Sequence, residues 1–435
     1  MSRPDSDALG GTVTPPSSPP STPLNVLLIS VDALRADMSW AGYARPVAPN
    51  LSRLVESSVV FEEHRANASF TAQSVPAMLA GRLASTLYRT GYFFAAYAPA
   101  NRFFPELLRE REVRTVGLHA HHYFRPGRKG LDQGFEVWEV LRGESARGWS
   151  LGPITADRMT DRLIEILSEP AHARRPFFAW AHYMDPHHEP GNQYTRHADA
   201  PDFGRKPRDV YDGEVWFTDR HVGRLLDWAE QQPWWSETAV LVTGDHGEAF
   251  GEHGMFQHAH ELWEVLVRVP LIVRVPGARP RRIAAATTHL DLAPTVLGLM
   301  GREPPPEMMG RSLVAEIFGA PPRPPAAVLL EIACDTDQTG RRAIVKDGFK
   351  VVRFGPGAGW KHELYDLQQD PGELRDLSRD DPAQLESMVA ALDTAFAAVP
   401  SVRPHGGMPL EDGTVANGPT GETVGNGVDT NPRLP

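Results

Sequence analysis

A chain of 435 residues with 41% hydrophobic content can bury a large core, and its length alone would allow two or three units. The formal net charge of −11 argues against a general nucleic-acid binder, although a local cationic pocket could still hold an anionic substrate. The single cysteine, Cys334, excludes an intramolecular disulfide framework; no run of about 18 apolar residues proposes a membrane span, and the N-terminus lacks the basic-then-apolar layout of a signal peptide, so a soluble cytoplasmic protein is expected.

Residues 1–23 are rich in Pro, Ser and Thr and read as a disordered tail. The apolar run Asn25–Val31 predicts a first strand that ends in a carboxylate, Asp32; alone, such an acid is equally well explained as a helix cap or a solvated loop residue. The segment 66–82 carries Thr71, Ser74 and Pro76. Pro76 fits only the first turn of a following helix, which puts Thr71 just ahead of that helix's positive end; a capping hydroxyl in a loop is the plainer alternative. His119, His121 and His122 form a cluster to which the sequence gives no role.

Pro176–Ala181 predicts a second clear strand, followed directly by His182, His187 and His188 in Ala-His-Tyr-Met-Asp-Pro-His-His-Glu-Pro. A helix over Tyr211–Glu230 carries Val215, Val222, Leu225, Leu226 and Ala229 on one face. Ala239–Val242 predicts a central strand that breaks into adjacent Asp245 and His246, with His253, His258 and His260 just behind. Few chemistries other than metal binding concentrate oxygen and imidazole ligands in this way. Open α/β sheets place ligands at the C-terminal ends of their strands, and two distant strands delivering Asp32 and Asp245 to one edge can share a cation. His260-Glu261-Leu262-Trp263-Glu264 begins like a metalloprotease helix but has Glu where a second His is required. His188, His253 and His260 read equally well as surface histidines.

Leu271–Val275 adds another strand, and the alternation of strands and helices predicts an α/β fold with a mostly parallel sheet covered by helices. Asp291 reads as a helix cap, and Asp366 and Asp370 as turn formers. After about residue 325 the pattern changes: Ala343–Lys346, Asp347-Gly348 and Phe349–Phe354 read as a hairpin on a tight turn. A closing helix over Pro382–Ala398 has Leu385, Val389, Leu392 and Phe396 as its stripe. The expected division is a main unit over 24–324, a small α+β subdomain over 325–400 and a disordered tail over 401–435.

Seven segments in order resemble the sulfatase family of the alkaline phosphatase superfamily. They are the opening strand with Asp32, Pro49-Asn50-Leu51, Thr71 to Gly81, His182 to His187, Gly244 to Glu248, Arg268-Val269-Pro270-Leu271-Ile272, and Glu363 to Leu367 with Asp370 to Glu373. The resemblance spans residues 24–398 and implies an alkaline-phosphatase-like sheet. It also implies hydrolysis of a small anionic ester with one divalent metal, held by Asp32, Thr71, Asp245 and His246. The ion's identity stays open among Mn, Fe, Zn, Mg and Ca, with His246 suiting Mn, Fe or Zn better than Ca.

The departures from the family pattern matter as much. The family carries Cys or Ser, oxidised to formylglycine, in a Cys/Ser-x-Pro-x-Arg motif; here Thr71 stands at the nucleophile position, Gln73 replaces the Pro and Val75 the Arg. Threonine cannot become the aldehyde, so any covalent adduct must be released by water attack at the central atom. Phosphate or phosphonate esters are therefore at least as plausible as sulfate esters. Ala33 follows Asp32 where many relatives have a second ligating carboxylate, which implies a lower-coordinate, single-metal active site.

The resemblance further implies that His182 and His258 serve as catalytic groups, and that His187, Ser74 and His260 contact substrate. A neutral-pH imidazole is a suitable general acid. Two alternatives remain from the sequence: a soluble phosphoryl-group transferase on the same fold, and a binding protein that has lost catalysis.

Overall fold

The computed structural model describes residues 22–402 except 91–93, 142–155, 171–174, 188–195, 323–326, 334–339 and 356–358, together with the two-residue strands Met408–Pro409 and Val415–Ala416. The expected tails, Cys334 and His188 lie almost wholly outside the described residues.

Eight strands form the main sheet, in the spatial order Arg281–Ile283, Val59–Phe61, Leu271–Arg274, Thr238–Gly244, Asn25–Val31, Phe177–Tyr183, Arg114–His119 and Val137–Val140. Every neighbouring pair is parallel except the two made by Leu271–Arg274, which runs antiparallel to both of its neighbours. The central strand is apolar without alternation because both faces of the sheet are covered. Val26 and Leu28 enter one core, with Phe178, Trp180 and Leu241, while Leu27, Ile29 and Val31 enter the other, with Ala179, Ala181 and Val242.

The helix expected over Tyr211–Glu230 runs over Pro207–Ala229. Its buried Asp219 accepts the backbone N–H groups of Asn50 and Leu51 and the Asn50 side-chain amide. This is the physical content of Pro49-Asn50-Leu51: a carboxylate from a distant helix satisfies the open N-terminal donors of the helix Pro49–Glu56.

Pro76 departs from expectation. The helix begins at Thr71 and runs to Ala80, so Pro76 lies inside it, beyond the first turn. Proline has no N–H to offer the carbonyl of Ala72, and the buried Tyr97 hydroxyl donates to that carbonyl instead, at 2.6 Å. A buried carbonyl left without a donor would cost about 1–3 kcal/mol.

Toward the C-terminus, Val328–Ile332, Arg341–Lys346, Phe349–Phe354 and Lys361–Asp366 form a four-stranded antiparallel sheet. Its central hairpin turns on Asp347 and Gly348, both at positive φ (53° and 84°), as a tight primed turn demands. The helix Pro382–Ala397 packs on it through Met388, Leu392 and Phe396, in a small core that also takes in Ala77 of the Thr71 helix and Leu83 just after it. Among the described residues no helix is long and apolar enough to cross a membrane.

Candidate active site

Three adjacent strands deliver the site's acids and one imidazole to the same edge. In the parallel register Val31 pairs with Gly244 and Ser30 with His182. Asp32 and Asp245 therefore leave the sheet side by side, with His182 on the strand next to them. Ala33 follows at φ 57°, a left-handed conformation that costs a non-glycine residue energy. It is held by Ala33 N donating to Asp245 Oδ1 and by Tyr211 Oη donating to Ala33 O. The position that holds a second acid in many relatives is thus a tight turn tying the two aspartates together.

Asp32, Asp245, His182 and His246, which follows Asp245, are all buried. His182 Nε2 lies 3.3 Å from Asp32 Oδ2 and 4.0 Å from Asp245 Oδ2; His246 Nε2 lies 3.4 Å from Asp32 Oδ1 and 3.6 Å from Asp245 Oδ2. Asp32 Oδ1 and Asp245 Oδ2 have no hydrogen-bond partner although both are buried. Burial by itself would push the Asp32 carboxyl up, but the imidazoles of His187, His182 and His246 outweigh it and hold the group well below the usual carboxylate range. His182 moves the opposite way: burial would lower it, yet the Asp32 hydrogen bond and the Asp245 charge raise it. Two carboxylates buried side by side call for positive charge between them. A donor set of two carboxylates and two imidazoles, with two orphaned oxygens facing inward, fits a divalent ion of the Mn, Fe or Zn type.

Thr71, the first residue of its helix, places Oγ1 3.2 Å from Asp32 Oδ2 and 3.2 Å from His246 Nε2. The hydroxyl thus stands at the mouth of the carboxylate pair and at the positive end of the helix. His182 occupies a different place from the leaving-group position expected of it. It is fully buried between the carboxylates, and Ser30 Oγ, which accepts from Trp180 Nε1, lies 2.8 Å from its Nδ1 and fixes the ring with Nε2 toward them. This is how a ligating imidazole is oriented.

Ser74 also differs from expectation. It is fully buried and donates to the Asp245 carbonyl, so it supports the ligand loop from behind instead of facing substrate. His260 is exposed at the surface, and His253 stacks on Trp263 with ring centroids 4.2 Å apart.

On the pocket side the imidazoles form a row. The ring of His258 lies 4.3 Å from that of His246 and 5.1 Å from that of His187, whose neighbour at 6.1 Å is His121. His258 Nδ1 sits 3.2 Å from Glu248 Oε1, a carboxylate that is completely buried. The sequence reading passed over Glu248 as a positioning residue. Only the folded hairpin supplies the pairing: Ala249 pairs with Gln257 and Phe250 with Phe256, so one step further Glu248 stands opposite His258.

The His119 cluster divides. His119 is buried among Phe124, Trp138 and Trp180, at 4.1–4.5 Å between ring centroids, and burial pushes its imidazole well below the ordinary range. It is packing behind Trp180, whereas His121 reaches the pocket row; the side chain of His122 lies outside the described residues.

Behind the site, His289 Nε2 donates to the Gly244 carbonyl at 3.0 Å, and its Nδ1 lies 3.1 Å from Ser74 Oγ. Burial pushes this imidazole down to about 3, against about 6.5 in the unfolded chain. A neutral buried imidazole contributes its stability fully above the unfolded value, and that contribution is lost as pH falls from about 6.5 toward 3, up to about 5 kcal/mol in total. Imidazole NMR of the folded protein is expected to show His289 neutral throughout that window; protonation near pH 6.5 would contradict it.

A carboxylate–imidazole cluster with a hydroxyl beside it thus stands at the carboxyl edge of this sheet. The chain belongs to the sulfatase family: the family model described as Sulfatase matches residues 24–302, and one described as N-sulphoglucosamine sulphohydrolase, C-terminal, matches residues 251–399. The chain is 27% identical over 267 residues to the uncharacterized sulfatase YidJ of Escherichia coli (strain K12), covering 52% of this chain and 51% of that one, so it spans about half the length of that relative. It is 25% identical over 429 residues to choline-sulfatase of Rhizobium meliloti (strain 1021), covering 81% and 82%.

Among solved structures, the phosphonate monoester hydrolase of Agrobacterium radiobacter superposes with a TM-score of 0.70 at 20% identity, covering 91% of this chain and 99% of that one. A protein in complex with its substrate D-glucosamine-2-N,6-O-disulfate superposes with a TM-score of 0.68 at 17% identity, covering 86% and 98%. At these identities the likeness is one of fold.

Proposed function

We propose that the protein is a metal-dependent hydrolase of a small anionic ester, with Thr71 as nucleophile and a preference for phosphate or phosphonate esters over sulfate esters. The observation that carries this reading is the Thr71 hydroxyl, 3.2 Å from Asp32 Oδ2 at the open side of the buried carboxylate pair. Asp32, Asp245, His246 and Thr71, joined by His182 between the carboxylates, would hold one divalent ion, which when bound neutralises charge on the ester and eases ionisation of the Thr71 hydroxyl.

The protein's own groups supply the remaining steps. Thr71 Oγ1 attacks the phosphorus in line, its proton passing toward Asp32; the Thr71 O–P bond forms as the bond to the leaving oxygen breaks. His258, with Nδ1 held by Glu248, gives a proton from Nε2 to that oxygen. Water then attacks phosphorus and gives one proton to His258 as the Thr71 O–P bond breaks, and the Thr71 oxygen takes back, along its hydrogen bond to Asp32 Oδ2, the proton it gave up in the first step. Sulfate esters are disfavoured because threonine offers no second hydroxyl with which to expel the group. The non-catalytic alternative would not require the buried Glu248 that orients His258.

The test is a matched set of aryl sulfate, aryl phosphate, phosphodiester and phosphonate substrates assayed with the same divalent metals. The phosphorus esters are expected to give the higher kcat/KM, with a rate that declines at alkaline pH as the acid loses its proton. A strong preference for the aryl sulfate overturns the substrate assignment, and no turnover with any ester or metal overturns the catalytic one.

A further inference from the structure

A second group of ligand-type side chains converges away from the site described above. Asp185 follows the strand Phe177–Tyr183, Glu214 lies in the helix Pro207–Ala229, and His197 is in the loop before that helix. Each offers one ligand atom, and the three atoms lie within 4.8 Å of one another. None is on the surface: Asp185 is 8% exposed and Glu214 3%, and the His197 side chain 8%.

Asp185 Oδ1 accepts from Ala156 N at 3.0 Å, but Oδ2 is buried without a hydrogen-bond partner. Burial, the Glu214 charge and Asp157 push the Asp185 carboxyl well above its usual range. His197 Nε2 and Glu214 Oε2 are 2.6 Å apart, and the face of the His197 ring stacks on Phe217 at 3.7 Å. Two carboxylates buried this close together are costly to ionise, and a divalent cation between them would offset that cost.

We propose that Asp185, His197 and Glu214 form a second metal site that takes zinc. One imidazole and two carboxylates are a donor set that zinc accepts, with a fourth position left for water. Donors about 2.0–2.1 Å from a tetrahedral ion stand about 3.3 Å apart, so binding would spread the His197–Glu214 pair slightly from its 2.6 Å. A cavity of about 270 Å³ lined by His197, Phe203, Asp209 and Gly213 adjoins the group at its imidazole. Asp185 lies between His182 and His187 in the chain. The ion would thus pin the segment bearing the buried His182 and the pocket-row His187 to the helix and to the loop before it. This site is independent of the catalytic reading.

The experiment uses the full chain carrying Asp32→Asn with Asp245→Asn, which removes the catalytic ligand pair and leaves the second site intact. After chelation and reloading with zinc alone, this protein is expected to hold one zinc per chain and to melt at a higher temperature than its zinc-free form. Adding Glu214→Gln or His197→Ala should weaken zinc binding by about 100-fold or more and erase the thermal shift, while the zinc-free melting temperature shows that each variant still folds. The site is overturned if the parent double variant binds no zinc, or if both additions leave zinc content unchanged. Failure of the catalytic reading would show instead in the ester assays and leave this zinc in place.

Discussion

Thr71→Ala is expected to reduce turnover of the preferred ester by roughly four to six orders of magnitude, because it removes the attacking oxygen and leaves only binding and electrostatics. The change is small in volume, and Thr71 is only partly buried, so the fold and the metal-binding carboxylates should survive. Thr71→Ser keeps the oxygen and is expected to retain a measurable fraction of activity; the lost methyl group frees the hydroxyl to leave its attacking rotamer. Acid quench with a labelled phosphate ester should leave label on the peptide that contains Thr71 in the wild type and none in Thr71→Ala. Intact turnover in Thr71→Ala would remove Thr71 from the mechanism.

Asp245→Asn is expected to lower turnover by about three orders of magnitude and to remove one equivalent of bound ion, measured by elemental analysis after dialysis. The two oxygens of Asp245 do separate work. Oδ1 accepts from the backbone N–H groups of Ala33 and His246, at 3.2 and 2.9 Å, whereas Oδ2 is buried without a hydrogen-bond partner, 3.6 Å from His246 Nε2. An asparagine can keep the first role with its carbonyl oxygen, and so preserve the tight turn after Asp32. It then presents an uncharged NH₂ group where a ligating oxygen is needed. Loss of ion and turnover with little change in melting temperature of the metal-free protein is therefore the specific signature; full metal content in the variant would refute the site.

Much of this site was legible in the sequence because its ligands are extensions of local elements. A strand needs only a short apolar run to declare itself, and Asp32, Asp245 and His246 are the first residues past the ends of Asn25–Val31 and Thr238–Gly244. The Asp347-Gly348 turn and the stripe of Pro382–Ala397 were readable for the same reason: period and turn chemistry act within a few residues.

What the tertiary structure decided are the partnerships between residues far apart in the chain. His182 became a neighbour of both carboxylates only through the parallel register of three strands, and Ser74 was turned inward by the Asp245 carbonyl 171 positions away. Tyr97 made a proline tolerable inside a helix. The hairpin alone set Glu248 against His258, and no sequence signal joined Asp185 to His197 and Glu214. Local sequence fixes what a residue can offer; which buried group must accept that offer depends on burial and packing of the whole chain, since only there does an unpaired donor, acceptor or charge become costly.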